Sequence, residues 1–331
     1  VSEHSKMGFV NSKYDKLQKQ PNGEHQKVGE CKLEKPIEVL FEGLEIDTFR
    51  PLKSSELKTP ISKTIDDIEE NFCYLMVGQW CQGGFGEDRK DIPKAIKTFY
   101  ETFANKTSPP ALIVKTSGAT FSILDREECL KKFNQIKKSF PADVKLPNVY
   151  FIHGSLTTEE MNELYNHHKV KCFYLTTHGE GFGRPLLEAS FTGLPIITSN
   201  WSGHLDFLDA KHSLLVSGKM EKVPRSVVWK DIITEDSQWF IADEGSVTSA
   251  LTYVYSNYNE VKQRALKLME INRNKFNTDK MIEKFEHILE KVVGNLPKQV
   301  SLNLPKLKKV NAAIPPKVKL PKLKKVTETS V

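Results

Sequence analysis

The chain has 331 residues, of which 39% are hydrophobic and 27% charged, and its formal net charge is +6 at pH 7. This balance is typical of a soluble globular protein, and the length suggests roughly two domains of about 150 residues each. The sequence contains no apolar run of the ~20 residues that a membrane span needs, and it opens without the apolar core of a secretory signal. The five cysteines form no CxxC pair, which favours reduced thiols in a cytoplasmic protein over a disulfide framework or a zinc ribbon.

The first part of the chain does not show the pattern of a packed domain. Residues 11–36 are polar and are punctuated by Pro21, Gly23 and Pro36. Because proline and glycine interrupt regular structure, we expect a connector that contains a short helix at most.

From about residue 37, strand-like and helix-like patterns alternate. Short apolar runs predict buried strands at 72–78, 111–116, 149–154, 172–177, 195–198 and 213–216. Helical spacing predicts helices at 91–103 and 125–140, another that starts with a capping box at Thr157, and two or three across 246–293. This alternation predicts an α/β fold with a Rossmann-like, doubly wound parallel sheet, in which ligands bind beyond the carboxyl ends of the strands.

The basic charge of the chain is concentrated in its last segment. Residues 296–331 contain nine lysines and one acidic residue, Glu328, and the unit LPKLKKV occurs there twice. Repeated proline opposes a helix and dense lysine opposes burial, so we expect a disordered, Lys/Pro-rich tail. The tail either tethers the protein to an anionic polymer or membrane surface, or simply improves solubility, and the sequence leaves both interpretations open.

Candidate chemistry is concentrated in THGEGFGRPLLEAS (177–190), which follows an apolar strand-like run. Its glycines allow the backbone to approach a ligand closely, and Pro185 suits the first turn of a helix whose N–H groups at 184–187 would bind phosphate. Carboxylates repel phosphate, so Glu180 and Glu188 should contact sugar and ribose hydroxyls on either side of it. A nucleotide-diphosphate sugar satisfies this arrangement. The alternative is a tight strand–helix turn in which Arg184 only forms an i,i+4 ion pair with Glu188.

The spacing Glu180-x7-Glu188 resembles the signature of retaining GT-B glycosyltransferases of the family-4, or glycosyl transferases group 1, kind. The resemblance extends in order through VLFEGLEIDTFRP (39–51), MVGQWCQGGFGEDRKDIPKAIKTF (76–99) and GLPIITSNWSGHLDFL (193–208). It covers about residues 37–290 and implies the C-terminal, nucleotide-sugar-binding half of a GT-B fold. The opening VSEHSKMGFV resembles the last strand of the preceding acceptor domain. We therefore divide the chain into an acceptor-domain remnant with connector (1–36), a Rossmann-like domain (37–295) and the tail (296–331).

The resemblance also implies roles for individual residues. Glu180 would hold the hydroxyls of the donor sugar, Glu188 those of the ribose, and Lys90 would neutralise the leaving diphosphate. Many relatives carry an arginine where this chain has Gln79, and Arg89 or Arg184 could replace its charge. The remaining predicted donor contacts are the backbone positions Gly181, Phe182, Gly183, Pro185, Leu186 and Leu187, with His153 and Gly154 beside the base.

The implied activity is transfer of a sugar from a nucleotide-diphosphate sugar to an unknown acceptor, with retention of anomeric configuration. This activity would need no cofactor and no metal. It would need an acceptor domain supplied in trans. The alternatives are a non-catalytic module that binds nucleotide-sugar, and an adaptor that acts through the basic tail. His178 and His204 are expected to be hydrogen-bonded structural residues, whereas Gly83, Gly84 and Gly86 either cover phosphates or form a mobile loop. His167 and His168 lack a third ligand nearby in the sequence, so we expect no metal site.

Overall fold

The computed structural model describes residues 1–81, 85–230 and 232–293. The predicted tail, residues 296–331, lies outside the described residues, as do Gly83 and Gly84. The strands are β1 (Lys13–Lys19), β2 (His25–Lys32), β3 (Cys73–Val77), β4 (Ala111–Lys115), β5 (Val149–Ile152), β6 (Val170–Leu175), β7 (Ile196–Ser199), β8 (Leu214–Val216), β9 (Gly218–Lys222) and β10 (Gln238–Ala242). The helices are α1 (Glu3–Asn11), α2 (Pro60–Asp66), α3 (Ile92–Phe103), α4 (Ile123–Lys138), α5 (Thr158–Asn166), α6 (Arg184–Phe191), α7 (Glu244–Ser256), α8 (Tyr258–Lys275) and α9 (Thr278–Val293).

Six parallel strands form the central sheet in the order β5-β4-β3-β6-β7-β8. The six apolar runs predicted as strands all lie in this sheet, and the predicted Rossmann-like α/β class is confirmed. The chain moves outward from β3 to β5 and then returns to β6 beside β3, so the direction of winding reverses between β3 and β6. In doubly wound sheets this reversal opens a crevice at the carboxyl ends of the two strands.

Buried side chains join the sheet to helices α3 and α7. Every residue of β3 is buried, and α3 packs its apolar face against the sheet. Tyr74 in β3 donates a hydrogen bond from its hydroxyl to the carbonyl of Leu251 at 2.6 Å, and Tyr174 in β6 donates to the carbonyl of Ala95 at 3.0 Å. Both phenols are thus satisfied inside the core, which fixes α7 and α3 against the central strands.

The first 36 residues differ from the prediction in two ways. Residues 3–11 form helix α1 instead of a strand, because the Ser2 hydroxyl accepts the N–H of Ser5 at 3.1 Å and caps the helix. The segment predicted as a connector forms the antiparallel hairpin β1–β2, whose turn uses the left-handed φ of 86° at Gly23. Both strands are almost entirely exposed, so no apolar alternation marks them in the sequence. The division of the chain at residue 36 stays a prediction.

Two further elements complete the description. The capping box expected at Thr157 is present, with its hydroxyl accepting the Glu160 N–H at 3.2 Å. Strands β9 and β10 form a separate antiparallel pair that the sequence did not predict. None of the helices in the described ranges is long and apolar enough to cross a membrane.

Candidate functional site

The site lies at the winding reversal, where the glycine turn after β6 leads into α6. Gly183 precedes α6 with φ of 93°, and a side chain there would also crowd the Cβ of His204 at 3.1 Å. Gly203 approaches the same turn so closely that an added Cβ would stand 2.1 Å from the carbonyl oxygen of Gly181. Glycine at 183 and 203 is therefore required for the turn to take this shape.

The predicted donor residues Lys90 and Glu180 meet in this turn. The Lys90 ammonium donates to Oε1 of Glu180, and both side chains are about nine-tenths buried, with 11% and 10% exposed. Arg89 adds a second cation, with Nη1 at 3.8 Å from Oε2 of Glu180 and at 3.1 Å from the carbonyl oxygen of Gly179. One carboxylate and two cations from distant parts of the sequence thus converge at the carboxyl ends of β3 and β6.

Backbone hydrogen bonds hold the loop that carries these cations. The Arg89 carbonyl accepts the N–H of His178 at 3.1 Å and the hydroxyl of Thr177 at 3.2 Å. Asp91 then takes a left-handed conformation, with φ of 52°, at the start of α3. Hydrogen bonds to the β6–α6 turn therefore fix the backbone that carries the side chains of Arg89 and Lys90.

His178 has the structural role expected of it. Its Nδ1 lies 2.7 Å from the Phe240 carbonyl, its Nε2 lies 3.3 Å from the Gly86 carbonyl, and its ring stacks on Trp239 at 4.2 Å. Burial lowers the pKa of His178. The residue joins β10, the Gly86 loop and the glycine turn, and its ring does not face the cleft.

His204 is also structural. It is fully buried, its Nε2 lies 2.7 Å from the Ser199 carbonyl, and burial lowers its pKa. The neutral ring closes the loop after β7, in agreement with the expected role.

Sequence reasoning missed Ser202, which positions Glu180 directly. Its hydroxyl accepts the Glu180 N–H at 2.9 Å, while the Glu180 carbonyl accepts the Gly203 N–H at 2.9 Å. Ser202 is buried and has φ of 86°, a strained conformation for a residue with a side chain. The available sequence signal was the serine–glycine pair in SNWSG, which we read only as part of the family resemblance.

The phosphate site expected at the start of α6 is smaller than predicted. Pro185 has no N–H, and the N–H groups of Leu186 and Leu187 already donate to the Gly183 carbonyl at 2.9 and 3.2 Å. Within the described residues, only the Arg184 N–H is left for a ligand in the stretch 184–187. The prediction of bare N–H groups was therefore wrong for Leu186 and Leu187, because the first turn of the helix uses both internally.

Several predicted contacts are core residues whose backbone alone could meet a ligand. The side chains of Phe182, Leu186 and Leu187 are buried, and the Phe182 ring packs on Phe207 at 5.2 Å. Gly181 presents its carbonyl to α1, where it accepts the Ser2 hydroxyl at 2.6 Å. Helix α1 therefore rests directly on the glycine turn.

Glu188 and Arg184 form the i,i+4 ion pair of the alternative interpretation. Arg184 Nε lies 3.1 Å from Oε1 of Glu188, and the Tyr165 hydroxyl donates to Oε2 at 3.0 Å. Burial raises the pKa of Glu188, and these two partners oppose that rise. The charge of Arg184 is thus directed to Glu188 and is not part of the Lys90–Glu180 cluster.

A second group of predicted residues lies at the carboxyl ends of β4 and β5. Gly154 has φ of 138°, and a Cβ added there would meet nothing within 4 Å, so its backbone is open to a ligand. His153 beside it is held by Asp125, with Nε2 and Oδ2 2.9 Å apart. Gln79 donates to the Gly118 carbonyl at 2.7 Å and so ties the β3 and β4 loops together. Asp125, which the sequence did not single out, orients the residue predicted to contact the base.

Comparison with known proteins agrees with the Rossmann-like fold. Residues 130–223 match the family described as glycosyl transferases group 1, whereas no curated protein sequence matches the chain. A glycosyltransferase from Rickettsia africae has 12% identity and a TM-score of 0.54 over 78% of this chain and 57% of that one. Anabaena Alr3699/HepE, solved with UDP and glucose, has 12% identity and a TM-score of 0.53 over 77% and 57%. The α,α-trehalose 6-phosphate synthase from Burkholderia multivorans has 12% identity and a TM-score of 0.53 over 84% and 55%.

At these identities the structural likeness concerns the fold, and the chain spans little more than half the length of each relative. The fold is that of one Rossmann-like half of a GT-B protein. Residues 130–223, which include the glycine turn, match the glycosyl transferases group 1 model, so the resemblance seen in the sequence is confirmed over this segment.

Proposed function

We propose that the chain binds a nucleotide-diphosphate sugar at the winding reversal of the sheet and supports transfer of its sugar with retention of configuration. The observation that carries this proposal is the cluster of the buried Lys90–Glu180 ion pair and the exposed Arg89 beside it. It lies where doubly wound sheets bind ligands, and it offers both cations for a diphosphate and a carboxylate for sugar hydroxyls.

The cluster suits a ligand that carries a negatively charged diphosphate next to neutral hydroxyl groups. Without ligand, the Lys90 ammonium and the Glu180 carboxylate neutralise each other at low exposure. A diphosphate that enters beside Lys90 shares the ammonium, which leaves lone pairs of Glu180 free to accept hydrogen bonds from sugar hydroxyls.

The chemical step that we propose is breakage of the bond between the sugar and the diphosphate. Negative charge then grows on the leaving phosphate, and Lys90 and Arg89 stabilise it from fixed positions. We propose that these cations, with the Arg184 N–H at the start of α6, perform this task without a metal ion. Retention is supported by the resemblance of Glu180-x7-Glu188 to the signature of retaining enzymes.

The open backbone at Gly154 and the ordered ring of His153 support a place for the nucleotide base. Anabaena HepE was solved with UDP and glucose, which makes UDP-glucose the first donor to try. The acceptor is not specified by any residue described. We propose that transfer requires an acceptor-binding half in addition to the residues described here, since the part that matches covers little more than half of each relative.

The decisive experiment measures binding of UDP-glucose, GDP-mannose and free UDP to the full chain by calorimetry. Lys90→Ala should weaken diphosphate binding by about 10–100-fold, because a charge-assisted hydrogen bond contributes about 1.5–3 kcal/mol. The control is Lys97→Ala, since Lys97 lies on α3 and pairs with Glu101 at 2.6 Å. Equal affinities in the two variants would contradict the proposed site. Binding without transfer, even with acceptor halves added, would indicate a non-catalytic module.

A further inference from the structure

We propose that Asp66, His167 and His168 form a binding site for a divalent transition-metal ion, most readily Zn²⁺. One ligand atom from each side chain lies within 4.8 Å of the other two. The sequence shows only the adjacent histidines, and the third ligand comes from a residue 101 positions earlier. The expectation of no metal site was based on the lack of a third ligand near this pair in the sequence, and the fold brings Asp66 to it from a distant position.

The site is built at the edge of the sheet opposite the proposed donor cleft. His167 and His168 connect the end of α5 to the beginning of β6, and Asp66 is the last residue of α2. The donor cleft lies at the carboxyl end of β6. The two sites can accordingly be tested separately, and the metal site does not depend on the proposed function.

Part of the coordination geometry is already in place. His167 Nε2 and Asp66 Oδ1 are 3.1 Å apart, close to the roughly 3.4 Å that separates two ligands in a tetrahedral zinc site with bonds of about 2.1 Å. The His168 ring stacks on that of His167 at a centroid distance of 4.5 Å and an interplanar angle of 30°. The two exposed side chains, Asp66 and His168, can close on an ion while the buried His167 stays fixed.

The backbone around the site is also held in position. The Lys169 ammonium donates to the carbonyl oxygen of Asp66 at 2.7 Å and to that of Ile68, which fastens the end of α2 to the α5–β6 turn. Asp66 ends a helix, where the partial negative charge of the carbonyl groups favours a cation. The ligands therefore do not have to be gathered from mobile segments.

Two contacts limit the affinity. The Lys169 ammonium is itself a nearby positive charge, and the Lys169 N–H lies 3.3 Å from Nδ1 of His167. When a metal ion binds Nε2 of the neutral His167 ring, the ring proton must be on Nδ1. Nδ1 then cannot accept the Lys169 N–H, so this hydrogen bond has to open. We accordingly expect micromolar binding rather than the tight binding of a structural zinc finger. Three protein ligands leave the remaining positions to water.

The test uses the full chain and ZnCl₂ in thermal unfolding monitored by circular dichroism. At a concentration about 100-fold above the dissociation constant, zinc should raise Tm by about 5–10 °C, and EDTA should reverse the rise. MgCl₂ should give no rise, because magnesium prefers oxygen ligands.

The variants Asp66→Asn and His168→Ala locate the ion, since both side chains are exposed and their loss should leave the fold intact. Each should reduce the zinc-dependent rise by more than half, whereas His25→Ala, which removes an exposed histidine from the hairpin, should leave it unchanged. Cobalt should give the intense visible absorption of tetrahedral Co²⁺ with the wild-type chain and not with His168→Ala. The proposal would be overturned if zinc did not raise the Tm of the wild type. It would also be overturned if zinc raised the Tm of both site variants as much as that of the wild type.

Discussion

The Ser202 hydroxyl accepts the N–H of Glu180 at 2.9 Å, and it does so from a backbone conformation with φ of 86°. A residue with a strained backbone thus positions the carboxylate that we assign to the donor sugar. We expect Ser202→Ala to weaken nucleotide-sugar binding about fivefold, because it removes a hydrogen bond of about 1 kcal/mol. Calorimetry with UDP-glucose measures this change.

Ser202→Gly provides the matched control for this prediction. Both substitutions remove the hydroxyl, but glycine adopts the positive φ without strain, so Ser202→Gly should have the higher Tm of the two. Wild-type affinity in Ser202→Gly would contradict the prediction, because it would show that the Ser202 hydroxyl is not needed to orient Glu180.

Gly203→Ala tests the close approach of the two loops. The added Cβ would stand 2.1 Å from the Gly181 carbonyl oxygen, and backbone atoms cannot move aside cheaply. We expect a loss of about 1–3 kcal/mol in the free energy of unfolding, measured by urea denaturation. Gly179→Ala is the control, since a Cβ there meets nothing within 4 Å. Equal stability of the two variants would contradict the described packing.

Asp91→Asn should stabilise the protein at neutral pH. Asp91 is fully buried, neither carboxylate oxygen has a hydrogen-bond partner within the described residues, and burial raises its pKa well above the usual value. Because the folded state holds the proton more tightly than the unfolded state, stability falls as pH rises above about 4. Asparagine tolerates the φ of 52° and carries no charge, so this contribution disappears in the variant.

The measurement for Asp91 is Tm between pH 4 and pH 8. The Tm of Asp91→Asn minus that of the wild type should grow with pH, whereas the exposed control Asp143→Asn should follow the wild type. A difference that stays constant across this range would show that Asp91 titrates normally in the folded protein.

Asp125→Asn should have the opposite dependence. Burial acts to raise the pKa of Asp125, but hydrogen bonds from His153 and the N–H groups of Gly118–Thr120 outweigh it and lower the pKa to about 2. The stabilisation is complete above the ordinary value near 4 and is lost as pH falls through about 2. The variant should therefore be less stable than the wild type at pH 7, and the difference should narrow in denaturation experiments towards pH 2. A stability difference between Asp125→Asn and the wild type that is as large at pH 2 as at pH 7 would contradict the lowered pKa of Asp125.

Much of the fold could be predicted because its signals are local. Buried strands such as β3 are continuous apolar runs, and the start of α5 is marked by a capping box within four residues. The hairpin β1–β2 was missed because its side chains are exposed on both faces, and the helical start at Ser2 was obscured by a resemblance to a strand. Solvated elements leave no hydrophobic pattern to detect.

The candidate site was predictable in part for the same reason. The sequence predicted Glu180, Lys90 and the glycine turn as site residues, because they lie in order within segments that resemble the family. It did not identify Ser202 or Asp125, because their roles depend on which atoms they contact. It also overestimated the free N–H groups at α6, whose first turn uses those of Leu186 and Leu187.

The sequence by itself determined the alternating α/β fold of this chain, because periodicity and short apolar runs are local properties. Only the tertiary structure decided which distant residues meet. Reversal of the winding between β3 and β6 brings Lys90 to Glu180, and packing of α2 against the α5–β6 turn brings Asp66 to His167. Each pair lies at least 90 residues apart in the chain, so its contact is set by the order of strands and the packing of helices, which no local pattern encodes.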